Sequence, residues 1–224
     1  MRKVQFIKDQ YYHIFNRGID KRKIFLDDFD YRRFLLSMRL MNDEQDGLMI
    51  RWRDHKKTYP KATVETFLRS DLRKRNPLVK IVCFSLLPNH YHFVLEQLAK
   101  NGIERFMQRV GIGFTMYFNK KYNRSGVLFQ GKCKSSLIKS THHLLYLSAY
   151  VNCNAEVHNI SDAKKYPWSS LSNFLRKSKS DICNGEVIWS QFKNNKEYEN
   201  FAKENVEAAK LKKEDEKLIL ENLS

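Results

Sequence analysis

"LLPNHYHFVLEQ" (residues 86–97) is the stretch that decides the fold. Pro88 and Asn89 interrupt an apolar run, and the aromatic and β-branched residues after them favour a strand. The preceding segment "LVKIVCFSLLP" (78–88) is also rich in strand-forming residues. Together the two segments predict a β-hairpin that turns at Pro88 and Asn89.

The strand that follows the turn carries two histidines. Side chains in a strand alternate between faces, so His90 and His92 share one face and Tyr91, Phe93 and Leu95 point to the other. Two imidazoles at this spacing can hold one cation. The alternative is that they are two polar residues on the exposed face of an amphipathic strand, because two histidines form only part of a metal shell.

The elements around the hairpin indicate the fold class. Apolar spacing and turn residues predict strands within 11–18 and 124–138 and helices over 27–42, 101–123 and 141–155. Residues 43–77 read as basic and irregular. The resulting order β-α-β-β-α-β-α predicts an α+β fold, a ferredoxin-like antiparallel sheet with helices packed against it.

Charge separates the chain into two parts. The 224 residues carry a net charge of +16, which makes phosphate backbones the leading class of partner and membranes the second. Residues 177–224 hold nine Lys and ten Asp or Glu, a net charge of −1, so residues 1–176 carry +17. We therefore expect a basic domain over 1–176, with a basic insertion at about 43–77, and a charged, mostly helical extension over 177–224.

Two expectations about location follow from the composition. No apolar run approaches the ~20 residues of a membrane span, and the N-terminal "MRKVQFIKDQ" lacks the apolar core of a signal peptide. We expect a soluble, intracellular protein with no membrane partner. The four cysteines form no CxxC pair, which argues against a structural zinc site.

The helix predicted over 141–155 offers groups for phosphate chemistry. Tyr146, Tyr150 and Asn154 lie four residues apart and share one helix face. A tyrosine can form a covalent intermediate, but its usual pKa of about 10 makes it weak unless a divalent metal polarises the phosphate that it attacks. Asn154 has the position expected of a third ligand to a metal held by two strand histidines. Tyr146 competes with Tyr150 as nucleophile but has no carboxamide four residues later.

Several patches of the sequence resemble one family. They are "YYHIFNRGIDKRKIFLDDFDYRRFL", "LPNHYHFVLEQ", "SGVLFQGKCKS", "YVNCNAEVHN" and "YPWSS", which together span roughly residues 10–176. These patches resemble the REP-associated tyrosine transposases, in the wider superfamily of single-tyrosine HUH transposases. Two positions depart from the family pattern: Tyr91 stands where an aliphatic residue is usual, and Ala155 where a proline is frequent. Neither departure removes a ligand.

The resemblance implies a reaction and its residues. His90 and His92 would bind Mg²⁺ or Mn²⁺, Asn154 would be the third protein ligand, and Tyr150 would attack a phosphodiester of single-stranded DNA. The products would be a 5′-phosphotyrosine and a free 3′-hydroxyl. Members of the family act on imperfect-palindrome hairpins in bacterial genomes, which implies a cytoplasmic, nucleoid-associated protein, either a monomer or a homodimer.

DNA contacts are expected from the loops that flank the first and fourth strands. The candidates are Arg17, Lys21, Arg22, Arg124, Phe129, Gln130, Lys132 and Lys134. Phe129 and Gln130 would meet an unpaired base, although core packing of Phe129 is an equal alternative. His13 could lie near the site, but a core or surface role is the simpler interpretation.

Two other functions stay open at this point. One is a catalytically silent regulator that binds hairpin DNA, and the intact set of His90, His92, Tyr150 and Asn154 argues against it. The other is a HUH relaxase or replication initiator, although those proteins tend to be larger. The extension over 177–224 contains none of the candidate ligands, so we expect it to be dispensable for the chemistry itself.

Overall fold

A computed structural model describes residues 5–71, 74–176 and 182–221, with side chains as far as Leu211. Its sheet has four strands: β1 (Tyr11–Arg17), β2 (Val79–Leu87), β3 (His90–Gln97) and β4 (Lys134–Leu137). The helices are α1 (Asp28–Leu40), α2 (Leu48–Thr58), α3 (Val64–Ser70), α4 (Gly102–Lys121), α5 (Thr141–Asn152), α6 (Asn154–Val157), α7 (Leu171–Leu175), α8 (Glu186–Trp189) and α9 (Asn195–Glu221), with one 3-10 turn at Ile19–Lys21.

The strand order confirms the predicted fold class. The sheet runs β2-β3-β1-β4, and all three strand pairs are antiparallel. Because β1 and β3 occupy the centre while β2 and β4 form the edges, the β1-α1-β2-β3-α4-β4 order gives a ferredoxin-like sheet. The hairpin is also confirmed: β2 and β3 pair from Val79–Gln97 to Leu87–His90 across the turn at Pro88 and Asn89.

One face of the sheet packs against α1 and α4. Tyr91 and Phe93 of β3 lie in this core with Phe34 of α1 and Phe114 of α4. The ring centroids of Tyr91 and Phe34 are 5.5 Å apart. Tyr91 therefore points away from the histidines, as strand alternation predicted, and its role is packing.

The opposite face packs against α5, and the C-terminal segment covers α5 in turn. Val94 of β3, Leu147 of α5 and Val206 of α9 belong to one core. Trp189 and Tyr198 of the C-terminal extension are buried in this core, and Phe192 and Phe201 pack against it. Among the described helices, none combines the length and the apolar composition needed to cross a bilayer.

The irregular structure expected for residues 43–77 was wrong, because α2 and α3 lie within this range. Leu48 and Trp52 of α2 and Phe67 of α3 form a small separate core with the end of α1. Thr63 begins α3, with its hydroxyl accepting a hydrogen bond from the Thr66 amide at 3.2 Å. The density of basic residues between these few apolar positions concealed the helical spacing.

Candidate functional site

The two histidines of β3 lie on the face that α5 covers. Their ring centroids are 5.1 Å apart. His92 is only 7% exposed, and His90 is half-buried at the start of the strand. An exposed polar face therefore does not explain the pair, because His92 is a buried polar side chain that needs polar partners.

Tyr150 lies next to His92, the buried member of this pair. The Ser140 hydroxyl accepts a hydrogen bond from the His143 amide at 3.1 Å and begins α5, which carries Tyr150 above the sheet. The ring centroids of Tyr150 and His92 are 5.9 Å apart with the rings nearly perpendicular. Burial raises the pKa of Tyr150 above its ordinary value, and a hydrogen bond from the Asn154 side chain opposes that rise. The phenol is therefore protonated at neutral pH.

Asn154 presents an unpaired oxygen next to the tyrosine. The α5 helix ends at Asn152, and the chain continues after Cys153 into the short α6 that begins at Asn154. The Asn154 side chain is fully buried, and its Nδ2 donates to the Tyr150 carbonyl at 3.4 Å. Its Oδ1 has no hydrogen-bond partner among the described residues. A buried carbonyl oxygen without a hydrogen bond lowers the folding stability by about 1–3 kcal/mol. Binding of a hard cation to this oxygen would offset that loss.

The residues of the site can hold a divalent metal only if Asn154 is one of the ligands. Across residues 5–71, 74–176 and 182–221, no group of three or more His, Cys, Asp or Glu side chains is arranged to hold a metal ion. Two imidazoles and one amide oxygen give a mixed donor set that is compatible with Mg²⁺ or Mn²⁺. Oδ1 of Asn154, buried and without a hydrogen-bond partner among the described residues, is the atom that would have to supply the third donor.

A third histidine contacts the pair. His13 lies on β1, and its Nε2 is 2.9 Å from Nδ1 of His92. Burial and, to a smaller extent, the neighbouring His143 together lower the pKa of His13 to about 4, so His13 is neutral at neutral pH. The core or surface role assumed for His13 missed this contact, because the contact depends on the register of β1 against β3.

A fourth histidine also belongs to the site. The His158 ring centroid lies 4.8 Å from that of His90. His158 follows α6, four residues after Asn154, and its amide donates to the Asn154 carbonyl at 3.0 Å. Sequence reasoning passed over His158, although it continues the spacing of Tyr150 and Asn154 by one more step of four residues.

The predicted DNA-binding side chains gather at the end of the sheet where β3 begins. Arg17 stands opposite His90, and Lys134 stands opposite Phe15, in the register of the strands. The Arg17 Nε donates to the Gln130 side-chain oxygen, and the Gln130 amide donates to the Arg17 carbonyl at 2.8 Å. The exposed members of the set are Arg17, Lys21, Arg22, Gln130, Lys132 and Lys134.

Two further members of the predicted set, which are not exposed, make their contacts within the protein. The Arg124 guanidinium donates to Asn119 Oδ1 at 2.7 Å and to the Val127 carbonyl at 3.0 Å, which closes its own loop. Phe129 is half-buried, with its ring centroid 5.7 Å from that of Tyr91. The packing alternative therefore describes Phe129 better than stacking on a free base.

The fold and the site define a class: a ferredoxin-like sheet with a His-x-His strand beneath a helix that carries a tyrosine. Comparison with solved structures finds a likeness to a REP-associated tyrosine transposase bound to a REP hairpin, with a TM-score of 0.49 and 13% sequence identity. The match covers 84% of this chain and 92% of that chain. No family model and no curated protein matches the sequence, so the chemistry rests on this chain's own residues.

Proposed function

We propose that this protein is a metal-assisted tyrosine transposase, which nicks and rejoins single-stranded DNA next to hairpins of the REP type. The observation that carries the proposal is the position of Tyr150. Its ring lies 5.9 Å from His92, and the unpaired amide oxygen of Asn154 lies one helical turn further along. A packing tyrosine would not need two histidines and an unpaired oxygen at its side.

His90, His92 and Asn154 would hold the Mg²⁺ or Mn²⁺ ion. The ion supplies positive charge that polarises the scissile phosphate and stabilises the charge that develops on it. The protein supplies the fixed positions of the three ligands, because His90 and His92 belong to a central strand and Asn154 is fully buried.

In the proposed reaction, the Tyr150 oxygen attacks phosphorus. A bond forms between this oxygen and phosphorus, and the bond from phosphorus to the 3′-oxygen of the preceding nucleotide breaks. The phenol loses its proton and the leaving 3′-oxygen gains one, which leaves a 5′-phosphotyrosine and a 3′-hydroxyl. Because burial raises the pKa of Tyr150, the neutral phenol is the form that enters the reaction. Attack by a 3′-hydroxyl on the phosphotyrosine reverses these steps and rejoins the strand.

The exposed basic residues near His90 would hold the DNA backbone. Arg17, Lys21, Arg22, Lys132 and Lys134 meet at one end of the sheet, and phosphate neutralisation by such a group supplies affinity without sequence preference. Tyr150 is only half exposed on a helix that packs against the sheet, so it cannot reach a phosphate inside a closed duplex. A single-stranded segment beside the hairpin is therefore the expected substrate.

The decisive experiment uses hairpin oligonucleotides with single-stranded flanks, labelled at the 5′ or the 3′ end and incubated with Mn²⁺. The wild type should form a covalent adduct on a denaturing gel, and only the label downstream of the cut should remain with the protein. Tyr150→Phe removes the attacking oxygen and keeps the ring, so the adduct should disappear while binding survives. Tyr146→Phe is the matched control and should retain the adduct.

Three results would change the assignment. An adduct that persists in Tyr150→Phe and disappears in Tyr146→Phe would move the nucleophile one turn back along α5. Cleavage that continues in excess EDTA would exclude the metal. Hairpin binding by the wild type with no cleavage under any metal would leave a catalytically silent hairpin-binding regulator as the function.

A further inference from the structure

We propose that His13 and Asn89 are positioning residues that fix the proton of each ligand histidine on Nδ1. This arrangement leaves the lone pair of His90 and of His92 on Nε2, where it can bind a cation. The inference rests on the proposed metal site. Neither His13 nor Asn89 belongs to the proposed ligand set, and each acts through the histidine beside it.

The Asn89 contact determines which ring nitrogen of His90 carries the proton. The His90 Nδ1 lies 2.6 Å from Asn89 Oδ1. The nitrogen of the same side chain has its own partner, because Asn89 Nδ2 donates a hydrogen bond to the Lys21 carbonyl at 3.2 Å. A carbonyl oxygen only accepts hydrogen bonds, so His90 Nδ1 must be the donor. In the neutral ring, the lone pair is then on Nε2.

The His13 contact limits His92 to two possible proton positions. The 2.9 Å separation between His13 Nε2 and His92 Nδ1 accommodates one proton between the two nitrogens. The rings are held in place by Phe15, which stacks on His13 at 5.1 Å and on His92 at 5.6 Å between centroids. The pairing of Phe15 with His92 in the β1–β3 register sets this stack.

Only one of the two proton positions allows His92 to bind a metal ion. If His13 donates, His92 uses its Nδ1 lone pair for this hydrogen bond and carries its own proton on Nε2. Neither nitrogen of a neutral His92 could then bind a cation. If His92 donates from Nδ1 to His13, its Nε2 is a lone-pair donor, which is the usual arrangement of a metal-binding histidine whose other nitrogen has an outer partner.

The tautomers can be read directly in the full-length, metal-free protein. Long-range ¹H–¹⁵N NMR of the imidazole nitrogens should show His90 and His92 as Nδ1–H tautomers, with each resonance assigned by single substitution. In Mn²⁺ titrations, His13→Phe and Asn89→Ala should weaken binding about 10- to 100-fold, as loss of an outer-shell partner does. His13→Gln keeps a carbonyl acceptor and should restore most of the affinity. His142→Gln, at an exposed position of α5, should leave the affinity unchanged.

The possible results separate this inference from the proposed function. A proton on Nε2 of His92 in the wild type would overturn the positioning role, even if Mn²⁺ binds. Unchanged Mn²⁺ affinity in a folded His13→Phe variant would overturn it as well. If the wild type binds no Mn²⁺, the proposed metal site fails, whereas the tautomer measurement is made on the metal-free protein and still decides the role of His13 and Asn89.

Discussion

A buried hydrogen-bonded chain should make Tyr198→Phe destabilising, although the change removes a single oxygen. The Tyr198 hydroxyl of α9 accepts from Asn152 Nδ2 of α5 at 2.8 Å. The Asn152 Oδ1 accepts from the Ser170 hydroxyl at 2.6 Å. The Ser170 amide donates to the Phe84 carbonyl of β2 at 3.0 Å. The chain therefore connects the C-terminal helix to the sheet through the helix that carries Tyr150.

The expected magnitude follows from burial. Tyr198 is 2% exposed, Asn152 is 1% exposed and Ser170 is fully buried, so water does not replace the lost partner. An unsatisfied buried donor costs about 1–3 kcal/mol, and we expect a loss of about 2 kcal/mol in the free energy of unfolding. The ring remains in Tyr198→Phe and continues to pack on Phe174 and Phe192, so little of the loss comes from packing.

Urea unfolding followed by circular dichroism measures this loss. The midpoint should fall while the slope m stays the same, because the surface exposed on unfolding is unchanged. Tyr59→Phe is the matched control, because Tyr59 is 58% exposed and its substitution should alter stability by less than about 0.5 kcal/mol. If Tyr198→Phe proves as harmless as Tyr59→Phe, the hydroxyl does not hold α9 to α5.

Three further outcomes are expected. DNA binding should weaken steeply with salt, with a log–log slope near −4 if about six phosphates of single-stranded DNA are neutralised; a slope near zero in filter binding would contradict the electrostatic role of the basic loops. A chain that ends at Arg176 should keep Mn²⁺ binding in its folded fraction but unfold at lower urea, because the apolar surface of α5 that packs on α9 becomes exposed; a folded truncation without Mn²⁺ binding would contradict this. Because the pKa of His13 falls from 6.5 to about 4 on folding, the unfolded chain binds the extra proton between these values. Stability should then decrease as the pH falls from 6.5 to 4, by up to about 3 kcal/mol, and urea unfolding of His13→Phe should lack this part of the decrease.

The parts of the site that depend on the regular spacing of side chains along one strand or helix could be predicted from the sequence. A period of two residues places His90 and His92 together and Tyr91 on the other face, whichever strands lie beside them. A period of about four residues likewise places Tyr150 and Asn154 one turn apart. These relations are local, because each depends on the backbone over a few residues, and the structure confirms them, although the helix predicted over 141–155 is divided at Cys153 into α5 and α6.

The parts that depend on pairing between distant segments could not be predicted. His13 meets His92 across 79 residues of chain, and this contact requires that β1 pair with β3 in one particular register. A shift of one residue would move His13 to the other face of the sheet. The number of histidines in the site is therefore a property of the sheet order and not of any one motif.

The two halves of the proposed site are held by different parts of the fold. His90 and His92 belong to β3, which pairs with β1 and β2 along its length, so their positions depend on backbone hydrogen bonds at the centre of the sheet. Tyr150 belongs to α5, which side-chain packing holds between the sheet and α9. Loosening α9 should therefore disturb Tyr150, and Asn154 in α6 beside it, before it disturbs His90 and His92. The C-terminal extension contains none of the proposed catalytic or ligand residues, but its packing on α5 would influence how Tyr150 meets a phosphate in the proposed reaction.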